Sequence, residues 1–453
     1  MKKEDELKEL KRFIDNTNFF DMHSHMAGFE LGTPVDDKRP RTLYSILMND
    51  YLAYLSGSCL DRQLVPSRKQ AIDGKCSFND IEPLLRVCRG LTTYYAIREG
   101  IRLLHPFKED DICFQNWKEI DKSIQMAYRK YGERKWQRIA CKKLKVLKQV
   151  HIATLPYVTT HLDSLPEKEK KSQMELLVLS LVLDGYAFTG FEIQHRAREM
   201  SFDIIRKYPR NLQDYLSFCN DVLDVFKKSG GKSVKLLISY FRTLRIENVD
   251  EKRAQHLFSI GFDVLSKSAL LVLQDFLLKQ LLIMANDKGL PLIVHTGYSI
   301  PTENGDPENL ICLLQDNSLK ELKIAISHSG WPNEGKAMIM ARTFRNCYFD
   351  ISWTPLLSQT LGRRILSEAL DMVPVNKILV GTDCGTAECF AGTVLLLKNV
   401  LYDVLAEKVT KKEFNLETAK SIAKSILWDN PIEFHNLGKR SNYGIRNKEK
   451  SRS

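Results

Sequence analysis

The chain has 453 residues, 43% hydrophobic and 27% charged, an ordinary globular balance and enough length for one large α/β barrel or two to three smaller domains. Its formal charge is +11, but residues 439–453 carry six Lys/Arg against one Glu; that basic tail is expected to be a disordered, solvated end rather than a nucleic-acid platform. Ten cysteines without a CxxC pair exclude a disulfide framework and a zinc ribbon, and they suit a reducing cytoplasm.

Taken in order, the first residues have mixed charge and no apolar core, so they do not read as a secretory signal; residues 2–16 predict a short charged helix. Next comes Phe19-Phe20-Asp21-Met22-His23-Ser24-His25, an apolar run ending in two histidines two residues apart. Residues 30–90 form a long connection with turn signals and helical pieces such as 43–56. Across 91–148, apolar residues recur at helical spacing throughout. The segment 32–147 is therefore expected to be an α-rich insertion between the first and second strands.

From residue 149 short apolar runs alternate with amphipathic stretches, the mark of βα units. The runs are 149–156, 176–183, 234–240, 290–295, 323–328, 347–353 and 377–383, and the run ending at His25 makes eight. Helices are expected at 270–286, 307–314, 334–344, 359–372, 390–405 and 416–428, with Asn430-Pro431 closing the last. No run approaches the ~20 apolar residues of a membrane span; the stretch 269–285 is interrupted by Gln274, Asp275, Lys279 and Gln280. Eight strands each followed by helix predict a (β/α)8 TIM barrel over 1–438, with its active site at the carboxyl ends of the strands.

Those ends carry the chemistry. Alternate residues of a strand face one side, so His23 and His25 can hold one cation, and imidazole suits zinc and other transition metals better than calcium or magnesium. The fifth run ends in His295 before a glycine, the sixth in His328, and the eighth in Asp383. Singly, a strand-end histidine is often a packing residue and a strand-end aspartate often a helix cap. In a barrel all of them converge on one axial site.

That order, together with "LPLIVHTGYS", "KIAISHSGWPNEGKAM", "NCYFDISW", "KILVGTDCG" and "AKSILWDNPIEFHNL", resembles the amidohydrolase superfamily, particularly the amidohydrolase-related group that includes metal-dependent decarboxylases. The likeness is densest over 290–437, covers the HxH, is weaker at "VKLLISYFRTLRI", and adds little over 32–147. It implies that His23, His25, His295 and Asp383 bind a divalent metal, zinc first and one ion rather than two. Asp383 would also orient the attacking water, and His328 would be the acid-base or oxyanion-stabilising group beside the metal. Many members of the superfamily carry a carbamylated lysine on the fourth strand. Lys235 is thus either a bridging carbamate, an unmodified active-site cation or a solvated strand-edge residue.

Related sequences show a Tyr-Arg pair after that strand, where this chain has Tyr240-Phe241-Arg242. Arg242 is a candidate carboxylate clamp, with Arg196 and Arg198 as alternatives. Trp331 and Trp353 are expected to wall the pocket, with Thr296, Tyr298 and Ser352 similarly placed. The reading is a cytoplasmic metal-dependent hydrolase cleaving a C–N or C–O bond next to a carbonyl of a small molecule. A non-oxidative decarboxylase or isomerase on the same site is the rival, and a non-catalytic scaffold the third reading. Homo-oligomerisation is left open.

Overall fold

Apolar runs too short for helices pair here in parallel, buried on both faces as parallel strands are. The computed structural model describes residues 3–25, 41–48, 52 and 76–438. Its strands are β1 (Phe19–Ser24), β2 (Val146–Ala153), β3 (Leu177–Val182), β4 (Ser233–Leu236), β5 (Leu292–His295), β6 (Ile324–Ser327), β7 (Cys347–Asp350) and β8 (Ile378–Leu379). They form one eight-stranded parallel sheet in sequential order. The residues beyond β8 bring it back to β1: Met22 N donates to Val380 O at 3.1 Å, and Asp383 N to His23 O at 2.8 Å. The result is a nearly closed α/β barrel.

The barrel is a packed core with a polar top. Phe20, Met22, Val150, Val178, Ile293, Ala325, Tyr348 and Leu379 form one apolar cluster inside it, joined by Phe434. By strand alternation, the residues two further on along four of these strands (His295, Ser327, Asp350 and Gly381) face the same interior one layer higher. Lys235 of β4 pairs with Ile293 of β5. The interior thus changes from apolar to polar within one layer, and the functional groups stand above the change.

The helix Lys3–Asn16 packs on the helices Ala387–Thr410 and Leu416–Lys424. Between β1 and β2 lie Leu43–Leu47, Phe78–Cys88, Thr92–Leu104 and Trp117–Leu144. Helix does not run unbroken from 91 to 148: it stops between Leu104 and Trp117, kinks at Gly132 (φ 67°) and gives way to β2 at Val146. Thr92–Leu104 crosses Ala387–Thr410 at very short range. A Cβ on Gly100 would lie 1.7 Å from Glu388 O, and one on Gly392 would lie 1.6 Å from Ala96 O. At that crossing the fully buried Glu388 carboxylate accepts hydrogen bonds from His105 Nε2 (3.0 Å), Tyr128 OH (2.9 Å) and Trp136 Nε1 (2.9 Å). Burial alone would raise its pKa; these donors hold it below its usual value.

Other expectations need correction. Asn430-Pro431 opens a helix, Asn430–Phe434, with proline in its first turn where no N–H is needed, and the α-helix before it gives way to a π-turn at Ser425–Asp429. Residues 307–314 are a 3₁₀ turn followed by one α-turn. Two helices, Lys267–Asp287 and Ala387–Thr410, are long and apolar enough to cross a bilayer by length and composition; their most apolar windows are 50% and 72% buried within the fold, as core helices are. Half of the piece expected at 43–56 (49–51 and 53–56) and the basic tail 439–453 lie outside the described residues.

Two outcomes follow from this packing. Gly392→Ala should lower Tm by a few degrees, because the backbone clash outweighs the gain in helix propensity and overpacking costs about 1–3 kcal/mol. An unchanged Tm in thermal unfolding would show that the helices can separate freely. His435 lies stacked on Phe20 with ring centroids 5.5 Å apart and neither ring nitrogen hydrogen-bonded. Burial holds its pKa down at about 3. The unfolded chain takes up that proton below about pH 6.5 and the folded chain does not, so this contribution is complete above pH 6.5 and lost as pH falls toward 3. His435→Phe should therefore flatten the acid limb of a Tm-against-pH profile.

Candidate active site

The site begins where β1 runs out and the chain after β8 folds over it. Asp21 is fully buried on β1 and accepts from the Thr382 amide (2.7 Å), the Thr382 hydroxyl (2.7 Å) and Gln149 Nε2 (3.3 Å). Burial holds its pKa up at about 7. Gly381 lets the two segments touch, since a Cβ there would lie 2.4 Å from Ser352 Oγ and 2.5 Å from His23 N. The contact sets Asp383 at φ 60°, its amide donating to His23 O. His328 (φ 64°), Ser329 (φ 60°) and Trp353 (φ 69°) share that left-handed backbone, a concentration of strain of the kind functional sites hold.

Three side chains then converge. His25 Nε2 lies 2.7 Å and His23 Nε2 3.4 Å from Asp383 Oδ1, and the two Nε2 atoms are 3.1 Å apart. One ligand atom from each of the three lies within 4.8 Å of the others. Burial, and then the charge of Lys235, hold His23 well below the usual histidine range. The imidazole is therefore neutral and its lone pair available. Asp383 is held well below the carboxylate range by His23 and His25 in spite of its burial. Two imidazoles, the buried one neutral, and an ionised carboxylate are what a divalent transition metal requires, so these residues fit the ion.

The neighbours of that cluster have separate surroundings. Lys235 is fully buried, its Nζ 3.4 Å from His23 Nδ1. Burial lowers its pKa to about 8, against Asp383, Asp350 and Asp184. His328 Nδ1 lies 3.2 Å from Ser352 O; a carbonyl can only accept, so Nδ1 carries the proton and Nε2 is left as the basic nitrogen. That Nε2 is buried without a hydrogen-bond partner, and burial lowers the ring's pKa to about 4. His295 stands with its ring centroid 4.4 Å from that of His328. Its Nε2 donates to Tyr298 O (3.2 Å) and its Nδ1 accepts from Tyr240 OH (3.4 Å). It lies beside the convergent group of three rather than in it.

Trp353 packs against His328 with ring centroids 5.3 Å apart, and Trp331 stacks on Tyr298 at 5.9 Å. Thr296 and Ser352 turn their hydroxyls to Ser327 O and Asp350. Arg242 is not available as a clamp. Its guanidinium is ion-paired with Asp275 at 2.5 Å and donates to Arg245 O at 2.8 Å, in a buried position. Arg196 pairs with Glu192, and Arg198 donates to Gly185 O beneath the Phe188 ring. Sequence reasoning missed Asp21, although it sits at i−2 from His23, and missed Asp184, which accepts from Leu237 N two residues beyond Lys235. It also gave no role to Phe191 or Phe241.

An eight-stranded α/β barrel whose strand-end histidines and aspartate gather at one end is an arrangement able to hold a metal ion. The amidohydrolase family model matches residues 251–437, the stretch that carries His295, His328 and Asp383. Protein fluG of Emericella nidulans is 25% identical over 223 residues, 45% of this chain and 25% of that protein; the chain thus spans about a quarter of its relative's length. The fold is shared with a uronate isomerase from Thermotoga maritima (TM-score 0.74, 16% identity, 95% of this chain and 97% of that one). It is also shared with a glucuronate isomerase from Caulobacter crescentus (TM-score 0.71, 12% identity, 97% and 95%). A protein assigned as a metal-dependent hydrolase from Lactobacillus casei aligns with TM-score 0.63 at 17% identity over 94% and 97%.

His328 and Asp383 should separate by mutation. Asp383→Asn removes a charged donor and should lower metal retention and turnover together. His328→Asn should keep metal content near wild type while cutting kcat by about 10²–10⁴-fold. Elemental analysis of the two variants, beside a turnover assay, checks both; loss of the ion from the His328 variant would make that residue a ligand.

Proposed function

We propose that the protein hydrolyses a C–N or C–O bond adjacent to a carbonyl in a small molecule, with one divalent cation, zinc first, held by His23, His25 and Asp383. The convergence of those three ligand atoms within 4.8 Å carries the reading. His328 is the nearest further imidazole, its ring centroid 5.2 Å from that of His23, with His295 packed beyond it; Lys235, as an unmodified amine, orients His23. When bound, the cation supplies Lewis acidity, acidifying water toward neutral pH and polarising a carbonyl. Asp383 holds the attacking water against the cluster. His328, neutral and basic at Nε2, takes the proton and returns it to the departing nitrogen or oxygen.

An isomerase is the second reading, favoured by the whole-chain likeness to the two sugar-acid isomerases. Against it, and against a decarboxylase, stand the arginines: Arg196, Arg198 and Arg242 all have other partners, so none among them is a ready clamp for a substrate carboxylate. The site residues themselves speak against a scaffold.

Purified protein should contain close to one transition-metal ion per chain, and His23→Ala should lose it. A ratio near two would point to a carbamate on Lys235. Metal-loaded protein should then be screened in ¹⁸O-water against lactones, N-acyl amino acids and aryl amides, with glucuronate in parallel in deuterated water. Hydrolysis leaves solvent oxygen in the product. Solvent deuterium on carbon in the glucuronate arm, with no labelled hydrolysis product elsewhere, would replace this reading by the isomerase.

A further inference from the structure

Metal ligands occupy only one side of the barrel mouth. His23 and His25 come from β1, Asp383 follows β8, and these segments are adjacent. The loops after β3, β4, β5, β6 and β7 make up the other side, and they carry aromatic rings in two continuous arms. One arm runs from His295 to Tyr240 (ring centroids 4.4 Å apart), to Phe191 (5.9 Å) and to Phe241 (4.8 Å). The other runs from His328 to Trp353 (5.3 Å), to Tyr298 (5.6 Å) and to Trp331 (5.9 Å). Each step lies within the separation at which aromatic rings attract. Both arms are anchored on one residue, since His295 bonds to the Tyr240 hydroxyl and the Tyr298 carbonyl.

The arms start buried and end in water. Trp353 is 4% exposed, but Tyr240 is 40%, Phe191 and Phe241 are 43% and Tyr298 is 45% exposed. Rings left in solvent at the rim of a catalytic cluster mark a surface meant to be covered. The rings offer π-faces, while Arg196 and Arg242 are paired with Glu192 and Asp275 and Arg198 is bonded to Gly185 O. Among the described residues of this half-rim, a polyhydroxylated or dianionic body would find few counterparts.

We propose that this aromatic half-rim is the specificity surface of the site, and that the substrate carries an aryl or similarly flat, uncharged ring beside the carbonyl presented to the metal. The ring lies between the Tyr240–Phe191–Phe241 arm and the Trp353–Tyr298–Trp331 arm. This rests on the metal-site reading above and adds the class of group next to the scissile bond.

Benzohydroxamic and acetohydroxamic acid test it, because both chelate zinc through the same atoms and differ only in phenyl against methyl. Titrated into the zinc-loaded full chain by calorimetry, the phenyl compound should bind at least about tenfold tighter, a 1.4 kcal/mol difference. Phe191→Ser and Tyr298→Ser, both at exposed positions, should each move the ratio of the two Kd values toward one while circular dichroism and zinc content stay as in wild type. Equal affinities in wild type, or a ratio untouched by both variants, would overturn the proposal. If the protein holds no zinc and binds neither compound, the metal-site reading itself has failed and this proposal falls with it.

Discussion

Closure of the barrel and assembly of the cluster are one event. The chain beyond β8 is tied to β1 by a ladder in which Asp383 N donates to His23 O (2.8 Å) and His25 N to Cys384 O (2.9 Å), while the Asp21 carboxyl takes the amide and hydroxyl of Thr382. Every strut of that seam touches a member of the His23, His25 and Asp383 cluster or its near neighbour in sequence. The last strand cannot dock on the first without bringing Asp383 against the two histidines. A register slip of one residue would turn His23 away from the site. Gly381 is the hinge of the arrangement, since any side chain there would meet the His23 amide.

Much of this was legible beforehand because parallel barrel strands are apolar on both faces and end abruptly in chemistry. All eight runs became strands, with edges moved by a few residues: 149–156 became Val146–Ala153, and 234–240 shrank to Ser233–Leu236. The convergence of His23, His25 and Asp383 could be inferred because barrel topology dictates where strand ends go. The two long apolar helices could be placed but not weighed, as periodicity does not say how much of a helix the fold will cover.

What could not be read was whatever depends on contacts between distant loops. Phe191, the Tyr240-Phe241 pair and Tyr298 fall in three stretches of sequence, and nothing in any one stretch joins it to the others. Arg242 looked like a clamp because its partner, Asp275, lies 33 residues away on a separate helix. Glu388 reads as an ordinary first-turn acid; its meaning comes from His105, Tyr128 and Trp136, more than 250 residues earlier. The interval 91–148 looked uniformly helical because its apolar spacing continues across the break between Leu104 and Trp117.

The Glu388 contacts bear on how such a chain can be inherited. Its carboxylate sits five residues after Asp383, in the first turn of the helix leading away from the site, and every hydrogen bond the structure gives it comes from 105–136. A relative that exchanged those helices for another set without the same three donors would be left with a bare buried charge, at a cost of about 3–5 kcal/mol. The glycine crossing adds a second lock of the same kind, with Gly100 and Gly392 each answering the other's backbone. Recombination breakpoints that separate residues 96–136 from 388–392 should therefore be selected against, and the helices 92–144 should travel through evolution together with the carboxyl-terminal quarter of the barrel.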